Sequence, residues 1–208
     1  MSLHIGSKNI IDIRRGSKKI AKVYKGNKLV WGYTPSDVLF DSSQSGYGAG
    51  TYTLYVKCRC RLEIWAVGGG GGGRHTFQMT TTQNWWYDEC PGSSGGYIHG
   101  IKEVPAGTYT IKVGARGSGG GASGNGGNSV VFGETAGGGK GGAKGTVSGG
   151  VNVTNLEDNV PGKSVQGVAK SYSDPELAGA PSVYGGYGAG NTSYNRGGTE
   201  GYVKIVAL

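Results

Sequence analysis

Short runs of alternating apolar and polar residues recur along this chain, and no window shows the 3.6-residue period of an amphipathic helix. The clearest runs are two copies of one pattern, AGTYTLYVKC (49–58) and AGTYTIKVGA (106–115). In each copy a tyrosine, an aliphatic residue and a valine share one face, and threonines occupy the other face. The pattern predicts two strands of a β-sandwich, each with one buried and one solvated side.

Three further segments show the same alternation and predict strands of the same type. They are Leu62/Ile64/Ala66, Val130/Phe132 and Val203/Ile205/Ala207. Glycine-rich stretches separate them. We therefore expect an all-β, sandwich-like domain with very little helix.

The first 35 residues repeat with a period of ten. The units are GSKNIIDIRR (6–15), GSKKIAKVYK (16–25) and GNKLVWGYTP (26–35). Each opens with a turn signal and continues as a short β-branched run. This predicts a small β-meander of about three strands that ends near Trp31. Three short strands are marginal alone, so we interpret residues 1–35 as an attachment or oligomerisation element and residues 36–208 as the main domain.

The net charge of +8 is concentrated in this first segment. Residues 1–32 contain eight basic residues and one acidic residue, or +7, which leaves +1 for the other 176 residues. Binding to nucleic acid or another anionic surface would explain this charge. Lysines that protect the edges of short strands would also explain it, and this second interpretation is favoured. We expect no nucleic-acid partner.

Glycine dominates the composition of the main domain: the chain has 45 glycines in 208 residues. The 13 tyrosines and 4 tryptophans indicate an ordered protein in spite of this glycine content. Besides a strand, a glycine run has one regular conformation, the extended left-handed helix of three residues per turn. Such helices pack closely because glycine has no Cβ atom. We therefore expect a bundle of polyglycine II helices, formed by the segments 67–73, 114–128, 136–150 and 184–198.

Known catalytic and cofactor motifs are poorly matched. Gly162-Lys163-Ser164 could end a phosphate-binding loop, but Glu157 stands where its first glycine is required. The potential metal ligands do not follow a recognised zinc spacing, so buried thiols or a disulfide to Cys90 are the alternatives. These ligands are Cys58, Cys60, Cys90, His75 and His99. No nucleophile, base and acid group together, so we expect no enzyme activity, no cofactor and no metal.

Two insertions interrupt the glycine-rich pattern, at 74–94 and 151–182, and we expect both to be loops. The first carries the sharpest local signal, a cluster of large aromatic residues. Such residues either anchor a binding interface or fold back onto the domain, and the sequence favours neither. The candidate receptor-binding residues are Phe77, Trp85, Trp86 and Tyr87, with Tyr172 and Tyr194 as weaker candidates.

Several motifs together resemble the glycine-rich domain of bacteriophage tail-fibre and tail-tip proteins. They are EIWAVGGGGGG (63–73), AGTYTIKVGA (106–115) and GYVKI (201–205), within a match that covers roughly residues 38–208. The N-terminal VYKGNKLVWG (23–32) also resembles short β repeats of phage structural proteins. The resemblance implies a β-sandwich-like frame that carries a polyglycine II bundle. It also implies a virion protein whose tip loops contact the host surface.

From these features we expect a non-enzymatic virion protein of the tail, made in the cytoplasm of the host bacterium. Residues 1–35 would bind other virion proteins, and the loops would bind a cell-surface glycan or protein. We also expect a homo-oligomer, in the first instance a trimer. No run of 18 apolar residues and no leader-like start is present, so we expect neither membrane insertion nor general export. A purely structural component such as a head fibre or decoration protein, and a secreted carbohydrate-binding module, are the alternatives.

Overall fold

The computed structural model describes residues 4–5, 8–9, 14–15, 17–19, 22–25, 28–79, 85–90, 92–119, 124–142, 190–191, 194–195 and 197–208. Every regular element in these ranges is a β-strand. In chain order the strands are β1 (His4–Ile5), β2 (Lys8–Asn9), β3 (Arg14–Arg15), β4 (Lys18–Lys19), β5 (Val23–Lys25), β6 (Lys28–Trp31), β7 (Val38–Asp41), β8 (Gly50–Val56), β9 (Cys60–Val67), β10 (Arg74–Met79), β11 (Trp85–Cys90), β12 (Tyr97–Val104), β13 (Gly107–Val113), β14 (Ser129–Val131), β15 (Glu134–Ala136), β16 (Gly190–Asn191), β17 (Tyr194–Asn195) and β18 (Tyr202–Ala207).

Two four-stranded antiparallel sheets form the frame, which confirms the predicted sandwich-like class. Sheet A has the order β12-β9-β18-β7, and sheet B has the order β15-β14-β13-β8. Their facing sides form one hydrophobic core. Its largest fully buried aliphatic side chains come from both sheets and include Leu62, Ile64, Ile98, Ile111 and Ile205. The alternation in each strand sets which residues reach this core.

The AGTYT repeat corresponds to two neighbouring strands of sheet B. Strand β8 pairs antiparallel with β13, with Thr53 opposite Thr110. In both copies the tyrosine hydroxyl donates to the carbonyl oxygen four residues earlier, at 2.8 Å: Tyr52 to Gly48, and Tyr109 to Pro105. The repeat is therefore a structural unit in which the tyrosine fixes the turn that starts its own strand.

The predicted strand with Val130 and Phe132 on its buried side was wrong by one residue. Val131 is buried instead, and β14 ends there. Phe132 and Gly133 form the two-residue turn to β15, with φ of 49° and 84°. Two successive positive φ values are typical of a type I′ hairpin turn, whose twist matches that of the flanking strands.

The N-terminal repeats form hairpins. The described strands pair as β1–β2, β3–β4 and β5–β6, where one three-stranded meander was expected. The register, for example Arg15 opposite Lys18, pairs strands that are two residues apart along the chain. Each pair therefore joins the end of one repeat to the beginning of the next.

Beyond the sandwich, the chain makes three out-and-back excursions from one end of the frame. Six glycine-rich segments make up these excursions, and we call them the glycine bundle. The outgoing segments follow β9, β13 and β15, and the returning segments lead into β12, β14 and β18. They are 68–73 with 92–96, 114–119 with 124–128, and 137–142 with 197–201.

The outgoing segment 68–73 occupies the centre of this bundle, and all six of its residues are buried. Its N–H groups donate to the three returning segments, in an order that repeats every third residue. The pairs, donor first, are Gly68–Gly96, Gly69–Gly127, Gly70–Thr199, Gly71–Ser93 and Gly72–Gly124, all at 2.9 Å. Its carbonyl groups accept from the two other outgoing segments: from Gly117 and Gly142 at 2.8 Å and from Gly139 at 2.9 Å. A hydrogen-bond pattern with this period is that of a polyglycine II helix among its neighbours, as predicted.

Close backbone approach explains why these positions are glycine. A Cβ on Gly72 would lie 1.8 Å from the carbonyl oxygen of Ser118, and one on Gly71 would lie 1.9 Å from that of Lys140. Both obstacles are backbone atoms, which cannot move aside without breaking the neighbouring segment.

Small polar side chains complete the hydrogen bonding at the periphery of the bundle. Asn125 and Asn128, three residues apart, accept through Oδ1 from the N–H groups of Gly141 (2.8 Å) and Gly138 (2.9 Å). At the junction with the sandwich, buried Ser129 Oγ donates to Val67 O (2.6 Å) and accepts from Gly114 N (2.9 Å). These side chains satisfy backbone groups that neither the sheets nor the bundle pair.

We predict that Gly72→Ala lowers the free energy of unfolding by about 3 kcal/mol or more, because the new methyl group overlaps backbone on a neighbouring segment. Gly107→Ala is the matched control. Its Cβ would meet only the Tyr109 ring, at 3.5 Å, so its stability should stay within about 1 kcal/mol of the parent. Urea unfolding of both variants checks this, and equal stability of the two would contradict the close packing.

Candidate functional site

The distal end of the glycine bundle, away from the sandwich, carries the first segment that interrupts the glycine pattern. The central segment 68–73 leads directly into β10, and 92–96 returns from β11. At a rise of 3.1 Å per residue, the seven steps from Val67 to Arg74 place the start of β10 about 22 Å beyond the end of β9. The insertion at 74–94 therefore begins well clear of the sandwich.

The predicted loop at 74–94 was wrong in part, because β10 and β11 pair as an antiparallel hairpin. We call this pair the aromatic hairpin. Aromatic and threonine residues favour strands. Their cluster nevertheless indicated a loop in the sequence, because it interrupts the glycine-rich pattern. Residues 92–96 belong to the glycine bundle, where Ser93 Oγ accepts from Lys140 N at 2.7 Å.

The register divides the candidate residues between the two faces of the aromatic hairpin. Phe77 lies opposite Tyr87, and Met79 lies opposite Trp85. Directly opposed residues share a face of an antiparallel pair, and alternate residues along each strand do too. Phe77, Trp85 and Tyr87 therefore occupy register positions on one face. Trp86, opposite Gln78, falls on the other face.

The remaining two candidates are placed differently. Tyr194 begins β17 and pairs with Asn191 of β16. Strand β16 lies next to both strands of the aromatic hairpin, so this second short hairpin also sits at the distal end. Tyr172 lies outside the described residues, as does the whole predicted loop 151–182. That loop falls between segment 137–142 and β16 along the chain.

An aromatic group on the outer side of sheet A was missed from the sequence. Trp65 stacks on His99 with ring centroids 4.7 Å apart, and Lys204 Nζ lies 5.6 Å from the Trp65 ring centre. His99 Nε2 lies 2.9 Å from Glu63 Oε1. Neighbouring side chains thus cover both faces of the indole, so this group is suited to holding three strands together. Its residues are far apart in sequence, and only strand register could have brought them together.

Cys58 and Cys60 form a thiol pair at the crossing from sheet B to sheet A. Both are free thiols. A hydrogen bond from Cys60 lowers the pKa of Cys58 to about 7, and the positive charges of Lys57 and Lys22 act in the same direction. The same contact, together with burial, raises the pKa of Cys60. In the described part of the chain no three His, Cys, Asp or Glu side chains converge as a metal site would require.

No helix among the described residues is long and apolar enough to cross a membrane. Comparison with protein-family models found none that matches this chain, and comparison with curated proteins found no similar sequence.

Cys58 is buried, with 4% of its surface exposed, so its ionisation is followed without a thiol reagent. We predict that its thiolate forms with a midpoint near pH 7, measured by ultraviolet thiolate absorbance in a Cys90→Ser background. Cys60→Ala removes the hydrogen bond and should move this midpoint up towards the ordinary thiol value of about 8.5. Arg59→Ala is the control and should leave the midpoint in place. The raised pKa of Cys60 keeps its own thiolate out of this pH range, and a midpoint unchanged by Cys60→Ala would disprove the assignment.

Proposed function

We propose that this chain is a non-enzymatic bacteriophage virion protein of the tail fibre or tail tip, and that its aromatic hairpin contacts a receptor on the host surface. One observation carries the proposal: all three excursions leave the same end of the sandwich, and the aromatic hairpin continues the central one. The glycine bundle thus separates a compact frame from a distal surface rich in aromatic residues. Such an arrangement suits a protein that reaches outward to bind.

The chemistry of the hairpin supports a binding role. Phe77, Trp85 and Tyr87 share one face, and large aromatic residues are the usual energetic anchors of interfaces. Paired strands hold these positions in a fixed order, so less conformational entropy is lost on binding than from a free loop. The receptor class we propose is a cell-surface glycan or protein, because both offer apolar faces to aromatic side chains.

The glycine bundle supports the same role through its rigidity. Backbone hydrogen bonds join its central segment to five neighbours, so the base of the aromatic hairpin is fixed relative to the sandwich. Outgoing and returning segments flank each other, which resists bending. A contact made at the distal end is therefore transmitted to the frame.

The N-terminal hairpins are the proposed attachment to the rest of the virion. Their register sets like charges opposite each other, as in Arg14–Lys19, Arg15–Lys18 and Lys25–Lys28. Such cross-strand pairs are destabilising, and isolated two-stranded hairpins are marginal in water. An acidic surface on a neighbouring virion protein would offset both effects, so we propose that chemistry for the partner.

We predict that the triple variant Phe77→Ser/Trp85→Ser/Tyr87→Ser lowers the adsorption rate of phage particles to host cells at least tenfold, since losing an interface anchor costs about 2 kcal/mol or more. The matched control is Thr76→Ser/Gln78→Ser/Asp88→Ser, which changes the same hairpin on its other face. Its adsorption rate should equal that of the parent. Particle yield and thermal unfolding of the purified chain verify assembly and folding in each case.

Two results would contradict different parts of the proposal. If the purified particle lacks the chain by mass spectrometry, the virion assignment fails, and glycan binding by the isolated chain would then favour a secreted carbohydrate-binding module. If normally assembled particles of the aromatic variant adsorb at the parental rate, the receptor role fails. That result would favour a purely structural component such as a head fibre or decoration protein.

A further inference from the structure

The outer edge of β8 differs from the other sheet edges that the structure describes. Its sequence, GTYTLYV, contains no charged residue and no proline over seven residues. Of the other outer strands, β12 carries Lys102 and Glu103, β15 has only three residues, and β7 has four with an irregular register. Native edge strands are normally protected by charge, shortness or irregularity. Strand β8 has none of these protections.

The hydrogen bonds of Tyr33 show which backbone groups face this edge. Its hydroxyl accepts from Lys57 N at 3.0 Å and donates to Tyr55 O at 3.5 Å. Backbone groups alternate in direction along a strand, so those of Thr53 and Thr51 turn to the same side as those of Tyr55. No strand in the described part of the chain pairs with them there. Tyr33 thus closes one end of the edge and leaves the rest open.

Apolar side chains are exposed beside this edge. An open groove of about 320 Å³ lies between β7 and β8, and Tyr33, Leu39 and Leu54 line it together with the charged residues Asp37 and Lys57. On its rim Val38 is 50% exposed and Tyr55 is 46% exposed. Exposed apolar residues that adjoin an unpaired strand are typical of an interaction surface.

The internal repeat indicates what pairs with β8. Inside sheet B, β8 already pairs with β13, a strand of nearly the same sequence, and Thr53 lies opposite Thr110. The repeat offset of 57 makes Thr110 the equivalent of Thr53 itself. The observed pair Leu54–Tyr109 is likewise equivalent to Leu54–Tyr52. Strand β8 is therefore complementary to a second, antiparallel copy of itself about a twofold axis at Thr53.

We propose that this protein self-associates through β8, which pairs antiparallel with β8 of a second copy and has Thr53 opposite Thr53. Strand geometry gives this contact about four backbone hydrogen bonds. Two join the Thr53 residues, and one runs from each Tyr55 N–H to the Thr51 carbonyl of the other copy, because Tyr33 already occupies the Tyr55 carbonyl. Thr51 of one copy lies beside Tyr55 of the other, as Thr108 lies beside Tyr55 within sheet B. The two four-stranded copies of sheet B become one continuous sheet.

The first test is the mass of the full chain by sedimentation velocity. We expect a species of twice the 21.3 kDa chain mass, and we expect Thr53→Lys to raise its dissociation constant at least about tenfold, because a lysine protects the edge. Thr110→Lys is the matched control: it changes the equivalent threonine, exposed on the same side of sheet B but on the inner strand β13. This variant should remain a dimer. Thermal unfolding checks that both variants fold.

The second test reads the register by disulfide cross-linking, in a Cys58→Ser/Cys60→Ser/Cys90→Ser background. Thr53→Cys places the two thiols opposite each other and should give covalent dimers on mild oxidation. Thr51→Cys places the two thiols four residue pairs apart, and its yield should be lower by at least about tenfold. A chain that is monomeric at all soluble concentrations overturns the proposal. The proposal also fails if the chain forms the trimer expected from the family resemblance and Thr53→Lys leaves that trimer intact. Equal cross-linking yields at the two positions would overturn it as well.

Discussion

Backbone hydrogen bonding with a three-residue period is the interaction on which the rest of this structure depends. It pairs the N–H groups of Gly68 to Gly72 and three carbonyl groups of segment 68–73, which is completely surrounded by other chain segments. A strand could not do this, because its groups reach only two neighbours in one plane. Fixing a glycine in place of alanine costs roughly 0.5–1 kcal/mol, which is comparable to the net gain from one hydrogen bond. The bundle is therefore stable only because every segment also packs against several others.

This requirement explains how the sandwich and the bundle depend on each other. The sandwich gathers the ends of β9, β13 and β15 in one place, so the outgoing segments start side by side. The bundle returns the chain to β12, β14 and β18, two of which flank β9 in sheet A. The buried hydroxyl of Ser129 lies where the two-residue period of the sheets changes to the three-residue period of the bundle. A defect at this junction would affect both halves.

Much of the frame could be predicted from the sequence because alternation and glycine content are local signals. The AGTYT strands, the closing strand with Val203 and Ile205, and the glycine segments 68–73, 114–119 and 137–142 were found in this way. The predicted glycine segment 184–198 was wrong in part, because β16 and β17 lie within it. The returning segment 92–96 was not recognised, because Ser93 and Ser94 interrupt its glycines and only the packing shows that small side chains suffice there. The hairpin pairing of Phe77 with Tyr87 and the stack of Trp65 on His99 depend on register, which no single segment contains. The receptor-binding candidates remain a prediction, and Tyr172 lies outside the described residues.

The three-residue period also constrains how such a protein can change length during evolution. Adding one or two residues to segment 68–73 would rotate every following N–H group away from its acceptor. Adding three would restore the directions and move the distal end outward by about 9 Å. Even then, the flanking segments would have to lengthen together, because each supplies partners to the others. Reach should therefore vary in coordinated steps of one helical turn. The described hydrogen bonds of the bundle join its backbone groups to one another and to small side chains such as Ser93, Asn125 and Asn128, so the distal hairpin is under a different constraint.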